Sequence, residues 1–239
     1  MSTEDGGTSH QHGFHQDRFH QDSGVPASVR AQLLATEHWG LLASRSTAQA
    51  EVLTRISMFL TFTSASVVSV ALVGQATGFS DAFVLLAVVV LFIDAAIGLL
   101  TQLRVNNVAH EDLMYVTAMN RLRAAYVDLD PGVAPYLMAA HHDDEAGSVQ
   151  TYYFFGNRGS FSHVAGSSMI FITTANAPLI AILAGLLVTL AGAGMAPAAV
   201  TGAVCGTGFL AASAVRGYRS YRDVWRRFTP LSPTPSAGE

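Results

Sequence analysis

The sequence has no lysine, a single cysteine and few charges of either sign. All 13 basic residues are arginine. Cys205 on its own cannot close an intrachain disulfide, so nothing in the chain calls for an oxidising compartment. Charged residues make up 13% of the chain, against roughly 25% in soluble domains. A formal net charge of −4 offers no basic surface for nucleic acid, and no nucleic-acid partner is expected. There is no phosphate-cradling glycine loop, dinucleotide fingerprint, zinc-finger spacing or nucleophile constellation. These absences make an enzyme the weakest reading and call for no cofactor. The first 25 residues are polar and lack the apolar centre of a secretory leader.

Half of the residues are hydrophobic, and they are clustered. Four runs reach the roughly 20 apolar residues that cross a bilayer: Ile56–Gly74, Ala82–Leu103, Ser168–Leu190 and Pro197–Val215. The arginines set their direction. Arg18, Arg30, Arg45 and Arg55 precede the first run. Arg104, Arg121, Arg123 and Arg158 lie between the second and third, and Arg216, Arg219, Arg222, Arg226 and Arg227 follow the fourth. The two short connections, Gln75–Asp81 and Ala191–Ala196, have none. By the positive-inside rule, both termini and the middle segment are cytoplasmic and the chain is a multi-pass protein of the plasma (inner) membrane.

The expected fold is all-α: a four-transmembrane-helix bundle with extended cytoplasmic helices. Residues 1–25 form a disordered tail, built on the tandem Phe14-His15-Gln16-Asp17 and Phe19-His20-Gln21-Asp22. Its His10, His12, His15 and His20 are metal-ligand types, but a solvated tail explains them equally simply. Residues 26–55 form a cytoplasmic helix, with Glu51 and Arg55 paired at i, i+4 and Trp39 either an interfacial anchor or core. Residues 56–103 are hairpin 1, 104–165 a cytoplasmic helical segment, 166–215 hairpin 2, 216–229 a basic amphipathic helix and 230–239 a disordered tail. On the middle segment, Val108, Tyr115, Met119, Leu122, Tyr126 and Leu129 make an apolar stripe, opposite Asn106, Glu111, Asn120, Arg121 and Arg123. That stripe packs on the first cytoplasmic helix or on another subunit. With the small-residue faces, it points to a homo-oligomer. Asp130-Pro131 opens a short helix that ends by Gly147.

The run Met119-Asn120-Arg121-Leu122-Arg123-Ala124-Ala125-Tyr126, then Pro135-Tyr136, then His141-His142-Asp143-Asp144-Glu145-Ala146-Gly147 resembles a family of uncharacterised bacterial multi-pass membrane proteins. The resemblance extends from about Trp39 through Gly147. It implies topology and no activity.

Three groups of residues are candidate sites. Asp94 is the one ionisable residue inside a span, where an acid costs roughly 2.5–3.5 kcal/mol and usually faces the bundle interior. Counting about 1.5 Å per residue puts it about 14 Å deep, level with Asn176, Ser64 and Cys205 or Thr207. Thr173 and Thr174 precede Asn176, and Pro178 loosens the helix after it. Ser57, Thr61 and Ser64 share a face, and Gly202-x-x-x-Gly206 permits close helix approach. This polar layer either binds a proton or small cation, or serves as interhelical packing with Asp94 protonated. The second group is His141, His142, Asp143 and Asp144, at the end of the short helix. It is read either as a divalent metal site or as a charged, solvated helix end. The third is the C-terminal helix, where Tyr218, Tyr221, Trp225 and Phe228 share one face among five arginines. That pattern describes a helix lying on an anionic inner leaflet, or one packed on its own cytoplasmic domain.

Overall fold

The computed structural model describes residues 24–156 and 167–235. The histidine-rich tail and Arg158 lie outside the described residues. Among the described residues five α-helices follow in order: α1 (Ala27–Thr77), α2 (Asp81–Leu129), α3 (Glu145–Tyr152), α4 (Ser168–Leu190) and α5 (Met195–Arg227). There is no strand among the described residues. α1, α2, α4 and α5 are each long and apolar enough to cross a membrane.

α1 has 51 residues and α2 has 49. At about 1.5 Å per residue each is about 75 Å long, more than twice the roughly 30 Å bilayer core. Each therefore continues well past its apolar run into a polar, arginine-bearing half. Their joining turn is short, and the Ser80 side chain accepts from the Phe83 amide to start α2. α4 starts in the same way, with Ser167 accepting from Ile170.

α1 packs along α2, α4 along α5, and α2 joins the two hairpins by packing on α4. Ile56, Phe59, Leu91, Val105, Ile172 and Leu179 meet in the core between α1, α2 and α4. The expected close approach of α5 is used within the chain. A Cβ added at Gly202 would lie 2.6 Å from the Ala181 carbonyl oxygen on α4. Outward-facing residues of the spans, such as Leu72, Leu100 and Val204, are more than half exposed, as a lipid-facing surface requires.

At the arginine-bearing end, α1 and α2 are tied by ion pairs. Arg104 reaches Glu51 at 2.7 Å and Glu111 at 2.7 Å, and the expected Arg55–Glu51 pair forms at 2.8 Å. Arg45 reaches Asp112 at 2.6 Å. Val108 and Met119 of the α2 stripe are buried, as is Val116 beside it. Asn120, expected on the opposite polar face, is buried as well. Its amide donates to the His142 carbonyl, and its oxygen accepts from Arg123 and Thr151. Trp39 is 71% exposed, which excludes the core reading. It lies 17 residues before Ile56, about 25 Å from the apolar run, too far to anchor at the interface.

Two local expectations are corrected. Asp130 does cap a new element, accepting from Gly132, but that element is a six-residue 3-10 segment, Pro131–Tyr136. Pro135 inside it lacks the N–H that a longer helix needs. Residues 137–144 are irregular, so the His141–Asp144 cluster precedes a helix (α3) instead of ending one. Leu231–Thr234, expected in a disordered tail, is seated on this cluster as described below.

Candidate functional site

Asp94 sits on the inward face of α2 and is 0% exposed. Thr63 and Ser66 of α1 face its carboxyl, but neither Asp94 oxygen completes a hydrogen bond, and the Thr63 hydroxyl is also unpaired. Toward the α1–α2 turn, the same helix buries Leu91, Ala87 and Phe83. That side of Asp94 is therefore apolar along α2.

Toward the arginine-bearing end the bundle is polar. Asn176, 0% exposed on α4, donates its amide to Gln102 Oε1 at 3.0 Å. Gln102 donates to Thr173 Oγ1 at 3.1 Å and to Ser213 Oγ at 3.3 Å. One glutamine on α2 thus links α4 and α5. Further out, the Ser220 hydroxyl on α5 meets His110 Nε2 on α2 at 2.8 Å. Asn176 Oδ1 is buried without a partner. Asn176 and Asp94 are not hydrogen-bonded; Gly98 stands between them on α2, one turn from Asp94.

The expected layer is therefore only partly assembled. Asp94, Asn176 and Thr173 face inward. Ser64 and Thr207 do not: both are exposed and donate to their own helix, Ser64 to the Leu60 carbonyl and Thr207 to that of Ala203. Counting residues gives depth but not facing, and a span hydroxyl is readily satisfied by the carbonyl four residues back. Ser57 and Thr61 behave in the same way. Thr63 and Ser66 take the inward place instead. Gln102 and Ser213 were missed because they stand near span ends, where polar residues pass as interfacial. The available signal was Gln102's place two turns from Asp94 on the same inward side of α2.

The His141–Asp144 cluster is not arranged as a metal centre. Among the described residues, no three His, Cys, Asp or Glu side chains are placed to hold an ion. Asp143, 0% exposed, accepts from the amides of Leu231 at 3.0 Å and Ser232 at 2.7 Å and pairs with Arg121. Asp144 caps α3 by accepting from Gly147, and also accepts from the Thr234 amide at 2.7 Å and hydroxyl at 3.0 Å. Burial opposes its ionisation, but the bonds from Thr234 and Gly147 outweigh that and hold the carboxyl below its usual range. Both acids thus serve as acceptors for the C-terminal segment. His141 and His142 lie against each other with ring centroids 4.3 Å apart. Burial, with its neighbour His142, lowers the pKa of His141.

The basic C-terminal helix is the continuous end of α5, with no break after the span. Part of its aromatic face turns toward the other helices. Phe228 lies under the Arg121 guanidinium, 5.1 Å from ring centroid to Cζ, Trp225 packs edge-on against Phe228, and Tyr221 donates to Glu145 at 3.1 Å. The face is split: Trp225 and Phe228 pack on the chain itself, whereas Tyr218 is 63% exposed and Tyr221 40%. Arg216, Arg219, Arg222, Arg226 and Arg227 point away and are exposed.

Comparison with protein-family models, curated proteins and solved structures finds no match to the chain.

Proposed function

We propose that the chain is a multi-pass protein of the bacterial plasma membrane that binds a proton or a small cation at Asp94, reached from a cytoplasmic, arginine-bearing end. The observation that carries this reading is the Asp94 carboxyl, fully buried within a span, with no cation beside it among the described residues and only the Thr63 and Ser66 hydroxyls facing it. An ionisable residue buried within a span marks a functional site by default. The polar groups Asn176, Gln102, Thr173 and Ser213 all lie on the arginine-bearing side of it. Leu91, Ala87 and Phe83 make the other side apolar along α2. This asymmetry supports access from the arginine-bearing end. The cytoplasmic assignment rests on the positive-inside rule, since the short α1–α2 and α4–α5 connections carry no arginine.

The test is proton and monovalent-cation flux in liposomes holding the purified protein, under both polarities of membrane potential. Asp94→Asn should abolish the flux and leave the helical fold intact. Flux that survives the substitution would remove Asp94 from the mechanism.

A second reading, a non-catalytic scaffold or signalling component, is favoured by exposed aromatics outside the spans: Phe155 at 89% and Tyr136 at 84%. It predicts that Asp94→Asn is silent and that the chain retains a protein partner that Tyr136→Ala with Phe155→Ala loses.

A further inference from the structure

Among the described arginines before α5, all but the exposed Arg30 have a partner within the chain. Arg45, Arg55, Arg104 and Arg121 each pair with an acid of the same chain, and Arg123 bonds Asn120. On the end of α5 five arginines face a single acid. Arg226 approaches Asp223 at 3.7 Å, and Arg222 lies over the Tyr218 ring at 5.6 Å. Arg216, Arg219 and Arg227 have no ion pair or hydrogen bond among the described residues. Exposed cations without counter-charge repel one another, and they persist where something outside the chain supplies the anion.

Their height says what that is. Val215 ends the apolar run, and Arg216, Arg219 and Arg222 follow within about 10 Å. The headgroup layer is about 5–8 Å thick on each side of the hydrocarbon, and an arginine side chain reaches back toward it. An open groove runs along this face. Ala214 and Val215 form its apolar end, Tyr218 a wall, and Arg219, Arg222 and Arg226, with Asp223 among them, its charged end. The order of apolar then cationic lining matches acyl chain then phosphate. The inward seating of Trp225 and Phe228 fixes the arginines outward, so the helix presents this groove without lying flat.

We propose that the groove at Arg219 and Arg222 binds the phosphate headgroup of an anionic phospholipid of the leaflet that meets the arginine-bearing end. A cation at an anionic membrane surface strengthens association about fivefold. The experiment loads the purified full chain with equal phosphatidylglycerol and phosphatidylcholine in detergent micelles. It then measures the lipid retained after gel filtration by mass spectrometry. The wild type should retain phosphatidylglycerol over phosphatidylcholine, less so as salt rises. R219Q/R222Q should retain about twenty-five-fold less, while R30Q, at the far end of α1, should match the wild type. Excess inorganic phosphate should leave the lipid bound. Equal retention of the two lipids by the wild type would overturn the proposal. So would undiminished retention by R219Q/R222Q, or displacement by phosphate, which would make the groove a free-anion site. Because both side chains are exposed and unpaired with any acid, the double variant should keep its helical circular dichroism. If it does not, the wild-type lipid preference and its salt dependence still decide.

Discussion

The Asn176 side chain on α4 occupies the space that a side chain at Gly98 on α2 would need. A Cβ there would fall 1.9 Å from Asn176 Oδ1 and 2.9 Å from Phe59 Cε2. Gly98→Ala must therefore push Asn176 off Gln102. We expect a loss of about 1–3 kcal/mol from overpacking, which exceeds the roughly 1 kcal/mol alanine gains in helix propensity. Gly208→Ala, with nothing within 4 Å of its new Cβ, should be neutral or stabilising. Unfolding in mixed detergents separates the two; equal effects would contradict the packing described.

The C-terminal segment should be released by acid. Asp144 is held below its ordinary value of 3.8, burial being outweighed by bonds from Thr234 and Gly147. A carboxyl lowered by folding contributes stability above its unfolded pKa and loses it as pH falls. Protection of the Thr234 amide, measured against its intrinsic exchange rate, should therefore be high at neutral pH and fall below about pH 4. Asp143→Ala leaves the Leu231 and Ser232 amides and Arg121 without their acceptor and should speed exchange at those two amides at neutral pH, at a cost of about 1–3 kcal/mol.

Tyr152 donates to Asp112 at 2.6 Å beside Arg45 and Gln49. Burial first, and then the Asp112 hydrogen bond and charge, push its phenol far above the usual tyrosine value of 10.0. The stability this group contributes is complete below pH 10 and is lost as the pH rises beyond it. In an ultraviolet titration Tyr152 should be the last tyrosine to ionise. Tyr152→Phe should remove that final step and cost about 1–2 kcal/mol, since Arg45 and Gln49 still satisfy Asp112.

The spans were legible because length and charge deficit are one-dimensional properties, and Asp94 stood out as the lone acid in an apolar run. Facing is not one-dimensional. Ser64 and Thr207 lie at the expected depth but point outward, whereas Thr63 and Ser66, one and two residues from Ser64, point at Asp94. The histidine–aspartate cluster read as metal chemistry because the residues that use its carboxylates, Leu231 to Thr234, lie about ninety positions away. Backbone amides leave no composition signal to announce that contact. The aromatic face of α5 was correctly periodic, but periodicity does not say whether lipid or protein covers it.

The proposed sidedness rests on the arginines and can be checked with the lone cysteine removed. In a Cys205→Ala background, Gln75→Cys and Ala191→Cys should react with a membrane-impermeant maleimide added outside intact cells. Ser28→Cys should react only after the cells are opened. The reverse pattern would invert the proposed access to Asp94.

The most direct test of the account is to follow the Asp94 carboxyl itself by difference infrared spectroscopy of the reconstituted protein, with Asp94→Asn identifying its band. Stepping the pH, or adding a monovalent cation, on the arginine-bearing side should change the balance of protonated and ionised carboxyl at that band, and the same step on the opposite side should leave it unchanged. A carboxyl band that stays constant under every condition, on both sides, would mean that Asp94 exchanges nothing and is a packing residue.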